Sequence, residues 1–218
     1  MKNNILPKQH KGAQTGAEAH REANSVEEAR HIFTEARRRM LDISNWHRYG
    51  MPGSVFTLTD SDGRPVRRHA QLYDHIRIDL PGPGPVSGDG YDWVYIEAVK
   101  AENDPGRDSD FFAFRVRPVP NPAHKNKEGK EDADTSHFYT DDTTSTFILE
   151  RSGQRVTAAE KGRNEVPNTQ ASGAADKIRN TLVAAGAAMG FASIQWKSLM
   201  EGWLDIDLDT DTANHVET

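Results

Sequence analysis

Residues 178–203 read IRNTLVAAGAAMGFASIQWKSLMEGW, and their periodicity decides the architecture. Ile178, Leu182, Ala185, Met189, Ala192, Trp196, Leu199 and Trp203 recur at alternating spacings of four and three residues, which puts them on one stripe of a single helix. The small residues 184–188, with Gly186 and Gly190 four apart, let another backbone approach closely. No charged residue falls between Arg179 and Lys197, a gap of 17 residues. At about 1.5 Å per residue that gap falls short of a bilayer core, and Ala, Gly, Ser, Thr, Asn and Gln make up much of it. The helix is therefore expected to bury its stripe on protein, with no membrane.

Upstream segments say what that protein surface is. Residues 54–59 and 66–72 read as strands around an Asp60, Ser61, Asp62, Gly63 turn. Residues 75–80 alternate Ile76, Ile78 and Leu80 against His75, Arg77 and Asp79. Residues 91–99 set Val94, Ile96 and Ala98 against Trp93, Tyr95 and Glu97, and residues 111–118 set Phe112, Phe114 and Val116 against Ala113, Arg115 and Arg117. Further strands are expected at 137–140, 143–151 and 154–159, with loops at 81–90, 119–134 and 161–172 and the closing helix starting near residue 174. Before the strands, Ser25 and Glu28 form a capping box for a helix whose buried stripe is Val26, Ala29, Phe33, Ala36 and Met40.

Strands joined in succession, with helices at the two ends, point to an α+β fold. The expectation is a strongly curved antiparallel sheet, or a partly closed barrel, of about seven strands with both helices packed on it. This element order resembles the helix-grip architecture of START-type ligand-binding proteins, in which a long terminal helix closes a cavity in a curved sheet. The resemblance implies a ligand space between the sheet and the last helix. The order differs in one respect, since the first helix here is read as preceding every strand.

Hydrophobic residues make up only 35% of the 218, so part of the length is expected outside the core. Residues 1–24 are read as a disordered N-terminal segment, residues 25–203 as a single domain and residues 204–218 as a flexible acidic tail. Asp205, Asp207, Asp209, Asp211 and Glu217 in that tail account for most of the formal net charge of −6. The nearly neutral body gives no reason to expect nucleic acid as a partner, and the basic run Arg37, Arg38, Arg39 points around a helix instead of along one stripe. There is no cysteine, which excludes disulfides and thiolate chemistry and fits a cytoplasmic protein.

Few short motifs in the chain carry chemistry. The glycines at 82, 84, 88 and 90 lead into a strand and not into a helix, so they are no phosphate cradle. The alternate aspartates of the tail place Thr210 and Val216 where a calcium loop needs Gly and Glu. The histidines make no local ligand pair, so no metal or other cofactor is expected. His137, Tyr139, Asp141 and Asp142 beside the threonine run lack a nucleophile elbow.

One constellation remains. His75, Arg77, Trp93, Tyr95, Glu97, Arg115 and Arg117 share the polar face of three successive strands. Facing inward, they would line a ligand site with forked donors and stacking walls; facing outward, they are the solvent side of an ordinary half-buried sheet. The leading expectation is a non-enzymatic module holding a small molecule between sheet and helix. Acid–base catalysis in the same cavity by His75, Asp79 or Glu97 is an alternative. Homodimerisation through the last helix is another.

Overall fold

The computed structural model describes residues 5–50, 53–80, 88–124, 137–168 and 191–205. Expectations about the 81–87 loop, the 125–136 excursion, the helix before residue 191 with Gly186 and Gly190, and the tail beyond residue 205 lie outside those residues. The elements run β1 (Ala13–Glu22), α1 (Val26–Leu41), a 3-10 helix (Ile43–Tyr49), β2 (Val55–Thr59), β3 (His75–Asp79), β4 (Asp92–Asp104), a 3-10 turn (Pro105–Arg107), β5 (Ser109–Pro118), β6 (Thr144–Ser152), β7 (Arg155–Glu165) and α2 (Phe191–Leu204). The strands form one antiparallel sheet in the order β1-β7-β6-β5-β4-β3-β2. It is open, with β1 and β2 at its edges, and is not closed into a barrel. Register shifts in β1 and in β4 at Glu97 mark bulges, which bend strands.

Several expectations are corrected. Residues 13–22, read as disordered, form β1 along the whole of β7. Strand β1 therefore precedes α1, and α1 interrupts the strands instead of preceding them. The turn at residues 60–63 forms, with Gly63 at φ +78 and its N–H donating to the Asp60 carbonyl at 3.0 Å. The hairpin behind it stops at a single bridge between Thr59 and Pro65: the Val66 N–H donates to the Leu58 carbonyl at 3.0 Å, but the Leu58 N–H donates to the Ser44 hydroxyl at 3.0 Å instead of continuing the ladder. Strand β2 pairs instead with β3. Residues 137–140 contribute only a bridge from Tyr139 to Pro167, whereas β7 runs on through residues 161–165, which read as loop.

At the start of α1 the Ser25 hydroxyl accepts from the Glu28 N–H at 3.1 Å, while the Glu28 carboxylate reaches back to the Asn24 N–H at 2.7 Å. Ile32, Ala36 and Met40 are fully buried on the helix face turned to the sheet. Together α1, the 3-10 helix and α2 cover one face, called the inner face here. Its core contains Phe112, Phe114 and Val116 of β5, Phe147 and Leu149 of β6, Val156 and Ala158 of β7, and Ala17 and Ala19 of β1. Small residues on β1 leave room for α2, which packs against that strand.

The C-terminal end of α2 is clamped. Arg39, fully buried, donates to the carbonyls of Gly202 (2.9 Å) and Asp205, and Arg21 donates to that of Leu204 at 3.1 Å. Two guanidinium groups thus satisfy carbonyls that a helix terminus leaves free, at the negative end of its dipole. Gly202 is the contact point: a Cβ there would stand 1.7 Å from the Tyr49 carbonyl oxygen. Trp46, Phe147, Trp196 and Trp203 meet beside the clamp, with ring centroids 5.3–6.2 Å apart for Phe147 against the three tryptophans.

Candidate functional site

Reading the inner face row by row locates the site. One row across β1, β7, β6 and β5 is Ala19, Ala158, Leu149 and Phe112, all apolar. The next is Ala17, Glu160, Phe147 and Phe114, and the one beyond it is Thr15, Gly162, Ser145 and Val116. A carboxyl therefore appears in phase with Val156 and Ala158, on the face covered by helices. Glu160 is 2% exposed.

A second carboxyl joins it by a backbone device. Asn164 has φ +55, a left-handed conformation that asparagine tolerates better than most residues. That kink breaks the two-residue alternation and turns Glu165 inward. The kink is held from the N-terminal segment: Asn164 Oδ1 accepts from the His10 N–H at 2.8 Å, its Nδ2 donates to the Lys8 carbonyl, and its N–H donates to Gln9 Oε1. The Glu165 carboxylate then accepts from the Thr15 hydroxyl at 2.8 Å, over the space where Gly162 has no side chain. A Cβ on Gly162 would fall 2.2 Å from Glu165 Oε1 and 2.4 Å from the Thr15 oxygen.

Tyr139 completes the group. Its strand-like segment pairs with residues 166–168, the Thr140 N–H donating to the Val166 carbonyl at 2.9 Å and the Asn168 N–H to that of Phe138 at 2.8 Å. Asp92, fully buried, accepts from the Phe138 N–H at 3.1 Å and fixes the other side.

The electrostatics follow from burial without a counter-charge. Among the described residues neither Glu160 nor Glu165 is in an ion pair, and Glu165 Oε2 is buried with no hydrogen-bond partner. Burial, reinforced by the nearby Glu165 charge, pushes the Glu160 carboxyl up to about 8, against weaker opposing effects from the Ser145 hydroxyl, Lys161 and Arg163. Burial also raises Glu165, with the Thr15 hydrogen bond and Arg163 opposing it. Tyr139 is raised by burial and then by the Glu165 and Glu160 charges, so its phenol stays protonated. At neutral pH the site offers a protonated acid, a carboxyl oxygen without a partner and a phenol, beside an aromatic wall.

The seven residues expected to line a cavity lie elsewhere. Their apolar neighbours Ile76, Val94, Ile96 and Val116 pack under the helices, so strand alternation turns all seven to the opposite, outer face. Three of them come together: Glu97 pairs with Arg115 and, at 2.9 Å, with Arg117, and Arg115 also donates to the Ile5 carbonyl at 2.5 Å. His75 lies against the Tyr95 ring at 5.8 Å, Arg77 sits over Tyr91 at 4.4 Å, and the Trp93 indole donates to the Gly88 carbonyl at 3.3 Å. Asp79 is exposed at the end of β3. Among the described residues no group of His, Asp or Glu side chains has the geometry of a metal site. Nor is any described helix long and apolar enough to cross a membrane.

An open seven-stranded antiparallel sheet, with a first helix after β1 and a last helix laid on the inner face, defines a helix-grip-like α+β fold. No family model and no curated protein matches the chain. Solved structures similar to it include the Thermus thermophilus protein TTHA0849, 11% identical over 90% of this chain and 99% of that one, with a TM-score of 0.40. Major latex-like protein 151 of Panax ginseng is 11% identical over 81% and 96% of the two chains, with a TM-score of 0.32. The di-domain ARO/CYC StfQ from the steffimycin biosynthetic pathway is 12% identical over 92% of this chain and 52% of its own, with a TM-score of 0.37. Likeness at that level transfers no activity, and the fold rests on the strand order itself.

Proposed function

We propose that the protein is a cytoplasmic, non-enzymatic binding module that holds a small molecule between the inner face of the sheet and α2, with Glu160 and Glu165 as its polar anchor. The observation that carries this reading is the carboxyl pair itself. A buried acid with no counter-charge destabilises a fold by several kcal/mol unless something meets it. Here two stand side by side, one with an unpaired oxygen, against a cluster of buried apolar side chains. A ligand with an apolar body and a polar end matches both the aromatic wall and the acids.

The test uses the tryptophans of the wall as reporters. Titration of the full chain with a panel of small aromatic alcohols and amines is expected to change the fluorescence of Trp46 and Trp196 saturably. Phe147→Ala is expected to weaken that response at least tenfold. No saturable response from any compound would remove the proposal.

A further inference from the structure

The chemistry around the acid pair narrows the class of ligand, an inference that rests on the binding reading above. Glu165 is 7% exposed, and one of its oxygens accepts from Thr15 while the other accepts from nothing. Glu160 lies one row away and is directly opposite Phe147 across β6 and β7. The Phe147 ring is 5.3 Å from Trp46 and 5.3 Å from Trp196. The basic side chains that act on the pair make their bonds to other groups: Lys161 reaches Glu18 at 3.5 Å and Arg163 donates to the Gly162 carbonyl at 2.7 Å. The site thus keeps a carboxyl oxygen open to a donor, next to aromatic rings.

A ligand that brought only acceptors would leave Glu165 Oε2 unsatisfied and set lone pairs against it. A neutral hydroxyl would bring one donor. An ammonium brings three donors and a positive charge, and aromatic rings favour a cation through their quadrupoles. We infer that the site takes the protonated amine of a small ligand with an apolar, aromatic-sized body, its ammonium set between Glu160 and Glu165 and its body against Phe147 and Trp196.

This assignment has a proton signature. At pH 7 the free protein holds a proton on Glu160, and an ammonium beside it drives that carboxyl to ionise. Binding therefore releases a proton to solvent. The titratable and charged groups that act on Glu160 are Glu165 and Tyr139, which share its site, and Lys161 and Arg163 on β7. Those on α2 with described side chains, Lys197 and Glu201, are exposed and paired with each other at 3.8 Å.

Three probes of one shape separate the possibilities: 4-phenylbutylamine, 4-phenylbutanol and 4-phenylbutyrate, titrated into the full chain at pH 7 by calorimetry and tryptophan fluorescence. The amine is expected to bind at least tenfold more tightly than the alcohol and the carboxylate weakest of all. In buffers of different ionisation enthalpy, amine binding is expected to release between half and one proton. In the Glu160→Gln, Glu165→Gln double variant the preference for the amine over the alcohol is expected to fall below twofold. Alcohol binding equal to or tighter than amine binding, or a preference that survives in the double variant, overturns the amine assignment and leaves the binding module standing. Absence of binding by all three probes overturns both.

Discussion

Glu97 on β4 and Glu160 on β7 are both strand glutamates with little solvent exposure, yet one is met by two guanidinium groups and the other by a phenylalanine. On the outer face Glu97 has its charge balanced by Arg115 and Arg117, and the N-terminal segment adds the Ile5 carbonyl as a further acceptor. Such a cluster needs nothing from outside the chain. On the inner face Glu160 lies among aromatic rings and hydroxyls, and no described cation is paired with it, so burial penalises its charged form. The difference separates an acid that helps hold the fold together from one that the fold tolerates at a cost. An unpaired buried acid is where a ligand has something to give.

The most drastic way to break that contrast is to lift the cover. Gly202→Ala forces a Cβ into the Tyr49 carbonyl and is expected to lower stability by about 3 kcal/mol in urea denaturation. With α2 displaced, the Glu160 titration is expected to fall toward an ordinary carboxylate while the Glu97 cluster is unchanged. A Glu160 titration unmoved in that variant would mean that α2 is not what desolvates it.

Glu160→Gln sharpens the contrast through pH. The folded state holds the Glu160 proton more tightly than the unfolded chain, whose carboxyl has its ordinary value of 4.5. That stabilisation is complete below about pH 4.5 and is lost as pH rises through about 8. Wild-type stability is therefore expected to decline across that window, and the glutamine variant to be flatter. At pH 9 the variant is expected to be more stable by about 2–4 kcal/mol, with little difference at pH 4. A variant less stable than wild type at pH 9 would show that the carboxylate is compensated.

The equivalent change on the other face carries the opposite sign. Glu97→Gln leaves two guanidinium groups without their carboxylate and is expected to cost about 1–2 kcal/mol at pH 7, a value kept modest by the exposure of Arg117. Smallest of all is Arg155→Ala on the rim of the sheet. It removes an exposed pair with Glu22 at 3.0 Å and is expected to change stability by less than about 0.5 kcal/mol in the same urea assay.

Much of the fold is legible in the chain because central strands announce themselves. Residues 75–80, 91–99, 111–118 and 143–151 alternate strongly, and each falls within or beside a strand of the sheet. Strand β1 is harder to read, since its inward positions are Thr15, Ala17, Ala19 and Arg21. Small residues there serve the close approach of α2 instead of signalling a strand.

Alternation groups the polar stripe of His75, Arg77, Trp93, Tyr95, Glu97, Arg115 and Arg117 correctly. Its side of the sheet is decided by where the helices dock, which alternation leaves open. Glu160 is within reach of the same reasoning, being in phase with Val156 and Ala158, but the run Glu160, Lys161, Gly162, Arg163, Asn164 has the composition of a loop. Glu165 is not within reach. Its direction depends on the left-handed Asn164, held by residues 8–10 from the other end of the chain.

The central claim is that the sheet carries a desolvated, uncompensated carboxyl beneath α2. A carbon-13 NMR titration of the glutamate side-chain carboxyls between pH 4 and 10, with Glu160 assigned by its glutamine variant, tests it directly. The expected result is a Glu160 midpoint near 8. A midpoint between 4 and 5 would contradict the account.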